Sequence, residues 1–161
     1  MKRYMSSSSS RKQLGGPVSA GLSFPDINVW LALAASEHIH AAWARRWWKQ
    51  YDGLIAFSRL SQLGLLRLTT TASTMDGKPL TMNEAWRVYD RFYDDDRVTF
   101  IPETADAEKR FREKSVGEAA SPKVWADAWL LAIAHAAGGV LVTFDKALEA
   151  RGAHCLLSKR G

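Results

Sequence analysis

Residues 121–145 read SPKVWADAWLLAIAHAAGGVLVTFD, a helix feeding a buried strand, and this stretch decides the fold. Ser121 before Pro122 is a helix start, a capping residue followed by proline at the first helical position. Strong helix formers run from Val124 to Ala137, with Trp125, Trp129, Ala132, Ile133 and Ala136 at helical spacing. Gly138 and Gly139 end the helix. Val140-Leu141-Val142-Thr143-Phe144 is a short β-rich apolar run, the pattern of a strand buried on both faces. Asp145 stands where that strand stops.

The stretch carries two carboxylates in apolar company. Asp127 lies in the first turns of the helix, and Asp145 sits at the carboxyl end of a buried strand, where open α/β sheets hold their ligands. A carboxylate there is costly unless it is paired, hydrogen-bonded or bound to a cation. Each also has a local explanation. Asp127 complements a helix N-terminus, and Asp145 caps a next helix over Lys146 to Arg151. The case for chemistry depends on a third acid reaching the same place.

Working outward, the same context recurs near the start. Gly21-Leu22-Ser23-Phe24-Pro25-Asp26 reads as a short strand ending in an acid, and Ile27 to Ala34 reads as a helix. Asp26 is therefore either a helix cap or a third site acid, with Asn28 two residues on. A second helix, Ile39 to Gln50, has Trp43, Trp47 and Trp48 at core or interface spacing and His38 and His40 at its start. Two histidines without a cysteine or a third histidine are weak evidence for metal, so they read as surface residues. Leu54 to Phe57 is a second strand. Ser58 caps a helix through Leu68 that carries Arg59 and Arg67. Thr81 to Glu84 is a capping box opening a helix to about Asp95, with Ala85, Trp86, Val88, Tyr89 and Phe92 inward. Asp94-Asp95-Asp96 reads as a solvated loop before a strand, Val98 to Ile101. A charged helix spans Thr104 to about Val116, and Cys155 to Leu157 is a last strand.

Strands alternating with helices predict an α/β fold, a three-layer α/β/α sandwich around a central parallel sheet. The 161 residues fit one domain, residues 21–161, behind a Ser-, Gly- and Lys/Arg-rich extension over residues 1–20 that is expected to be disordered. The net charge of +5 favours a polyanionic partner. The single cysteine excludes an internal disulfide and fits a reducing cytoplasm. No apolar run approaches a membrane span, and MKRYMSSSSSRKQ lacks the apolar core of a secretory signal. GxGxxG and GxxxxGK[ST] are both absent, so dinucleotide and P-loop nucleotide binding lack their phosphate cradle. Strand ends on one edge of a parallel sheet converge, so Asp26, Asp127 and Asp145 can meet in one crevice. Oxygen-only ligands there suit Mg²⁺ or Mn²⁺ acting on a phosphodiester.

The order of motifs resembles the PIN-domain ribonucleases, and within them the VapC toxins of prokaryotic toxin–antitoxin (VapBC) pairs. The matching pieces are Phe24 to Leu33, Ser58 to Leu68, Ser121 to Leu130 and Leu141 to Asp145, within about residues 22–158. The resemblance implies a PIN-like fold and a Mg²⁺- or Mn²⁺-dependent endoribonuclease with Asp26, Asp127 and Asp145 as metal-binding acids. It also implies homodimerisation and neutralisation by a cognate VapB-type antitoxin. One departure stands out. Many PIN domains carry an acid in the helix after the second strand, whereas Gly64 stands at or near that position here, with Gln62 close by. Glu84 is a candidate to supply the missing carboxylate, against its capping-box role.

Thr143, Asn28 and Ser58 are candidate supports for the acids, and Lys123, Arg59 and Arg67 are candidate phosphate contacts, which predicts salt-sensitive RNA binding. Loop RNA is the expected target, because unstacked bases can be read individually. Two other classes compete: a weakened or inactive PIN domain that binds RNA or a partner protein, and a metal-dependent hydrolase of a small phosphate ester.

Overall fold

A computed structural model describes residues 21–158, so the expected disordered extension lies outside the described residues. Five parallel strands form one sheet: β1 (Leu22–Pro25), β2 (Leu54–Phe57), β3 (Val98–Phe100), β4 (Val140–Thr143) and β5 (His154–Cys155). Their spatial order is β3-β2-β1-β4-β5. The helices are α1 (Ile27–Ala34), α2 (Ala41–Gln50), α3 (Arg59–Thr69), α4 (Met82–Arg91), α5 (Ala107–Lys114) and α6 (Val124–Ala136). Short 3-10 helices span Phe92–Asp94 and Lys146–Arg151.

Strand alternation divides the core in two. Ile55 and Phe57 of β2 and Val142 of β4 point into one layer with Val29, Trp30, Trp47, Leu65 and Tyr89 of α1 to α4. Ala56, Leu141 and Phe24 point the other way, onto Ala107 of α5 and Leu130, Leu131 and Ala134 of α6. The sheet is thus covered on both faces, which is the expected α/β/α sandwich.

Several local expectations shift. Ser121 does not cap α6. Its carbonyl accepts from the Val124 N–H at 3.1 Å, making a turn, and Lys123 takes the cap position without a side-chain cap. The second helix starts at Ala41 rather than Ile39, and the charged helix is trimmed to Ala107–Lys114. Trp86, expected inward, is 44% exposed, and Trp125, at helical spacing with Trp129 and Ile133, is 59% exposed. Helical period says which residues share a side but not how far the cover extends: Ala132 and Ile133 of α6 and Ala85 and Tyr89 of α4 are buried, whereas these two tryptophans stay open. Asp95 is not simply solvated: it pairs with Arg97 at 2.6 Å, and Arg97 donates to the Trp48 and Tyr51 carbonyls, tying the start of β3 to the end of α2.

Candidate active site

The chain leaves β1 for β2 and β3 on one side and fills β4 and β5 on the other. The strand order therefore reverses between β1 and β4, and the crevice at their carboxyl ends is where open sheets bind ligands. Asp26 follows β1 and Asp145 follows β4 by two residues, so both stand at that switch point.

One buried hydroxyl joins them. Thr143, fully buried at the end of β4, donates from Oγ1 to Asp26 Oδ2 at 2.5 Å. The same Oγ1 accepts the Asp145 backbone N–H at 3.0 Å. Asp26 Oδ1 accepts from the Val29 N–H at 3.0 Å, which caps α1. Asp145 Oδ1 accepts from the Ala147 N–H at 2.8 Å, capping the 3-10 helix. Capping and site membership therefore coexist, and the caps fix the carboxylates in place.

Burial pushes the Asp26 carboxyl above its ordinary value, against the Thr143, Val29 and Asn28 donors that favour the anion, and the charge of Asp127 pushes it further up. Asp127 is likewise raised, first by burial and then by Asp145, while Arg151 and Lys123 pull it down. Asp127 is thus coupled to both Asp26 and Asp145, so the three aspartates form one electrostatic group. Arg151 and Lys123 offset that repulsion only in part, since Asp127 stays raised.

Donor chemistry fits a hard divalent cation: the cluster offers carboxylate oxygens only. Among the described residues no three acidic, histidine or cysteine side chains enclose one point. That still fits Mg²⁺, which commonly takes one or two protein carboxylates and keeps waters or phosphate oxygens for the rest. Asp26, Asp127 and Asp145 are the carboxylates that act on one another here.

The remaining sequence candidates separate. Glu84 is fully exposed and locked in its capping box, accepting from the Thr81 N–H at 2.8 Å and Oγ1 at 2.9 Å. Its carboxylate is committed to that cap, and the charged group acting on it is Arg87 rather than an aspartate of the cluster. Gly64 cannot carry one either: a Cβ there would lie 2.4 Å from Ile27 Cδ1, because α3 packs closely on α1. Gln62 is buried, with Oε1 accepting from Arg59. Ser58 is buried in a reciprocal cap with Ser61 at the start of α3, a structural role. Asn28 reaches Asp26 through its backbone N–H, and its side chain faces solvent.

Of the basic candidates, Lys123 is exposed and close enough to act on Asp127. Arg59 opens α3 next to the end of β2, its guanidinium 4.8 Å from the Phe100 ring centroid. Arg67 is in the last turn of α3, roughly 12 Å further along the axis. It is therefore set apart from the strand ends. Sequence reading missed Arg151, six residues after Asp145, which only the return of the 3-10 helix brings to Asp127. It also missed that His38 and His40 pack on Phe144, with ring centroids 6.1 and 4.6 Å away.

Comparison with known proteins agrees with this architecture. The PIN domain family model matches residues 23–153. Ribonuclease VapC41 of Mycobacterium tuberculosis, in strains CDC 1551 / Oshkosh and H37Rv, is 41% identical over 133 residues, covering 79% of this chain and 91% of that protein. The chain therefore belongs to the PIN-domain family, in its VapC branch. A solved structure of Mycobacterium tuberculosis VapC20, described as a sarcin–ricin loop cleaving toxin, superposes with a TM-score of 0.58. That match covers 81% of this chain and 95% of the other, at 19% identity, and speaks for the fold. Among the described residues no helix is long and apolar enough to cross a membrane.

Proposed function

We propose that this protein is a Mg²⁺- or Mn²⁺-dependent endoribonuclease toxin that cuts exposed loop or single-stranded RNA in the cytoplasm and is neutralised by a cognate VapB-type antitoxin. The observation that carries the reading is the pair Asp26 and Asp145 at the switch point, joined through Thr143, with Asp127 acting on both; these three are the carboxylates that would hold the ion. A divalent cation, when bound, supplies Lewis acidity toward the phosphodiester.

The chain's own residues do the rest. Thr143 and the start of α1 hold Asp26 in one orientation, and Thr143 holds the backbone of Asp145. Burial holds the Asp127 and Asp26 carboxyls above the ordinary carboxylate range, which makes each readier to take a proton than a free aspartate. Lys123 and Arg151 bring positive charge beside Asp127, where a phosphate would approach. A homodimer is part of the proposal, on the strength of family membership.

The test is incubation of antitoxin-free protein with total cellular RNA and Mg²⁺ or Mn²⁺, beside Asp26→Ala and chelator controls, followed by mapping of new ends. Discrete metal-dependent cuts that vanish in the variant support the reading; folded, metal-binding protein that makes no cuts refutes it. A second reading, a weakened member that binds RNA or a partner protein, draws on Gly64, where tight packing excludes the acid many relatives carry.

A further inference from the structure

Helix α2 has the sequence AAWARRWWKQ, with Arg45, Arg46 and Lys49 and no acid. All three cations are exposed, and none is in an ion pair among the described residues. Trp47 is buried in the core, but Trp43 is 42% exposed. The Arg46 guanidinium lies 5.2 Å from the Trp43 ring centroid. The helix begins beside the acid cluster. Its cap residue His40 packs against Phe144, which sits between Thr143 and Asp145, and His38 lies nearly parallel to the same ring at 23°. Burial and His40 hold His38 below its ordinary value.

His40, Trp43 and Arg46 follow at steps of three, each next to the one before, on a path that winds partway round α2 and rises roughly 9 Å along it. Aromatic faces alternating with a cation are what a sequence-tolerant single-stranded nucleic-acid track requires. Trp and Arg also occur at protein interfaces, but their centres are depleted of charge, whereas α2 carries three cations and no acid.

We propose that α2 carries the single-stranded RNA leading away from the acid cluster: His40, backed by Phe144, stacks the first unpaired base, Trp43 stacks the next, and Arg46 meets a phosphate. This rests on the ribonuclease reading, and makes Trp43 and Arg46 positioning residues outside the acid cluster.

The test measures binding of a fluorescently labelled single-stranded oligoribonucleotide by anisotropy at several salt concentrations, with chelator present so that the strand stays whole. Steady-state cleavage is measured in parallel. Trp43→Ala is expected to weaken binding about tenfold and Trp43→Phe to restore most of it. Arg46→Gln is expected to lower the log–log salt slope by about 0.7. Both Trp43→Ala and Arg46→Gln should raise KM and leave kcat unchanged. Wild-type cleavage with unchanged affinity and KM in both variants would overturn the track and leave the ribonuclease reading standing. Wild-type protein that neither binds nor cuts RNA would overturn both. Loss of self-association by light scattering, with RNA affinity intact, would make α2 an interface between copies and also overturn the proposal. Both side chains are exposed, and Arg46→Gln carries the test if Trp43→Ala melts early.

Discussion

Thr143→Val removes one hydroxyl and nothing else of size, yet it should disable the site. Thr143 Oγ1 is the shared atom between Asp26 Oδ2 and the Asp145 N–H. Valine leaves the Asp145 N–H without its acceptor, a loss of roughly 1–3 kcal/mol when no substitute forms. Asp145 is exposed, so water reaches it and the lower end applies. Asp26 loses a donor to its charged form but keeps the Val29 and Asn28 N–H groups, so this loss is also about 1 kcal/mol. The sum, about 2 kcal/mol, corresponds to a fall in melting temperature of roughly 4–8 °C for a chain of this size. Loss of such a supporting contact should lower cleavage about 10–100-fold.

The substitution also has a pH signature. The folded carboxyl of Asp26 already sits above its unfolded value and moves higher in the variant. A raised carboxyl contributes stability that is fully present below the unfolded pKa and is lost as pH rises through the folded one. The melting deficit of Thr143→Val should therefore be largest near neutral pH and shrink on acidification. Thermal melts across pH and a cleavage assay check this, with Thr143→Ser, which keeps the hydroxyl, as the rescue. A Thr143→Val protein that melts with the wild type at neutral pH and cuts RNA at the wild-type rate would refute the shared-hydroxyl account.

Three further outcomes follow from the same geometry. Asp127→Asn should raise the melting temperature of the metal-free protein, because it removes a half-buried charge that desolvation and Asp145 disfavour, while abolishing cleavage; Mg²⁺ or Mn²⁺ should stabilise the wild type in melts by mass action and stabilise this variant far less. Gly64→Ala should cost about 1–3 kcal/mol by overpacking against Ile27, and Gly64→Glu should fail to raise activity, as denaturant unfolding and cleavage assays would record. Glu84→Ala should lower thermal stability slightly through the lost capping box and leave kcat unchanged, which separates it from the three aspartates.

The positions of Asp26 and Asp145 were legible because each follows a short β-rich apolar run and precedes a helix, a purely local pattern. The same pattern, repeated along the chain, was enough for a parallel sheet covered on both faces. Element ends were less legible. Ser121-Pro122 obeys the rules of a helix start, yet the Ser121 carbonyl closes a turn and α6 begins at Val124. Glu84 was ambiguous in sequence because a capping box and a site acid require the same residue type, and only its full exposure separates them.

What sequence alone determined was the type and order of the elements and the chemistry available at their ends, since hydrophobic period, caps and glycine stops act over a few residues. The tertiary structure alone decided which ends meet. Strand order β3-β2-β1-β4-β5 brings Thr143 to Asp26 across 117 residues. It also brings Arg151 to Asp127, sets His40 against Phe144 and presses α3 onto α1 until position 64 has room only for glycine. Those contacts arise from packing two helical layers on one sheet, and no local propensity encodes the distance between residues so far apart in the chain.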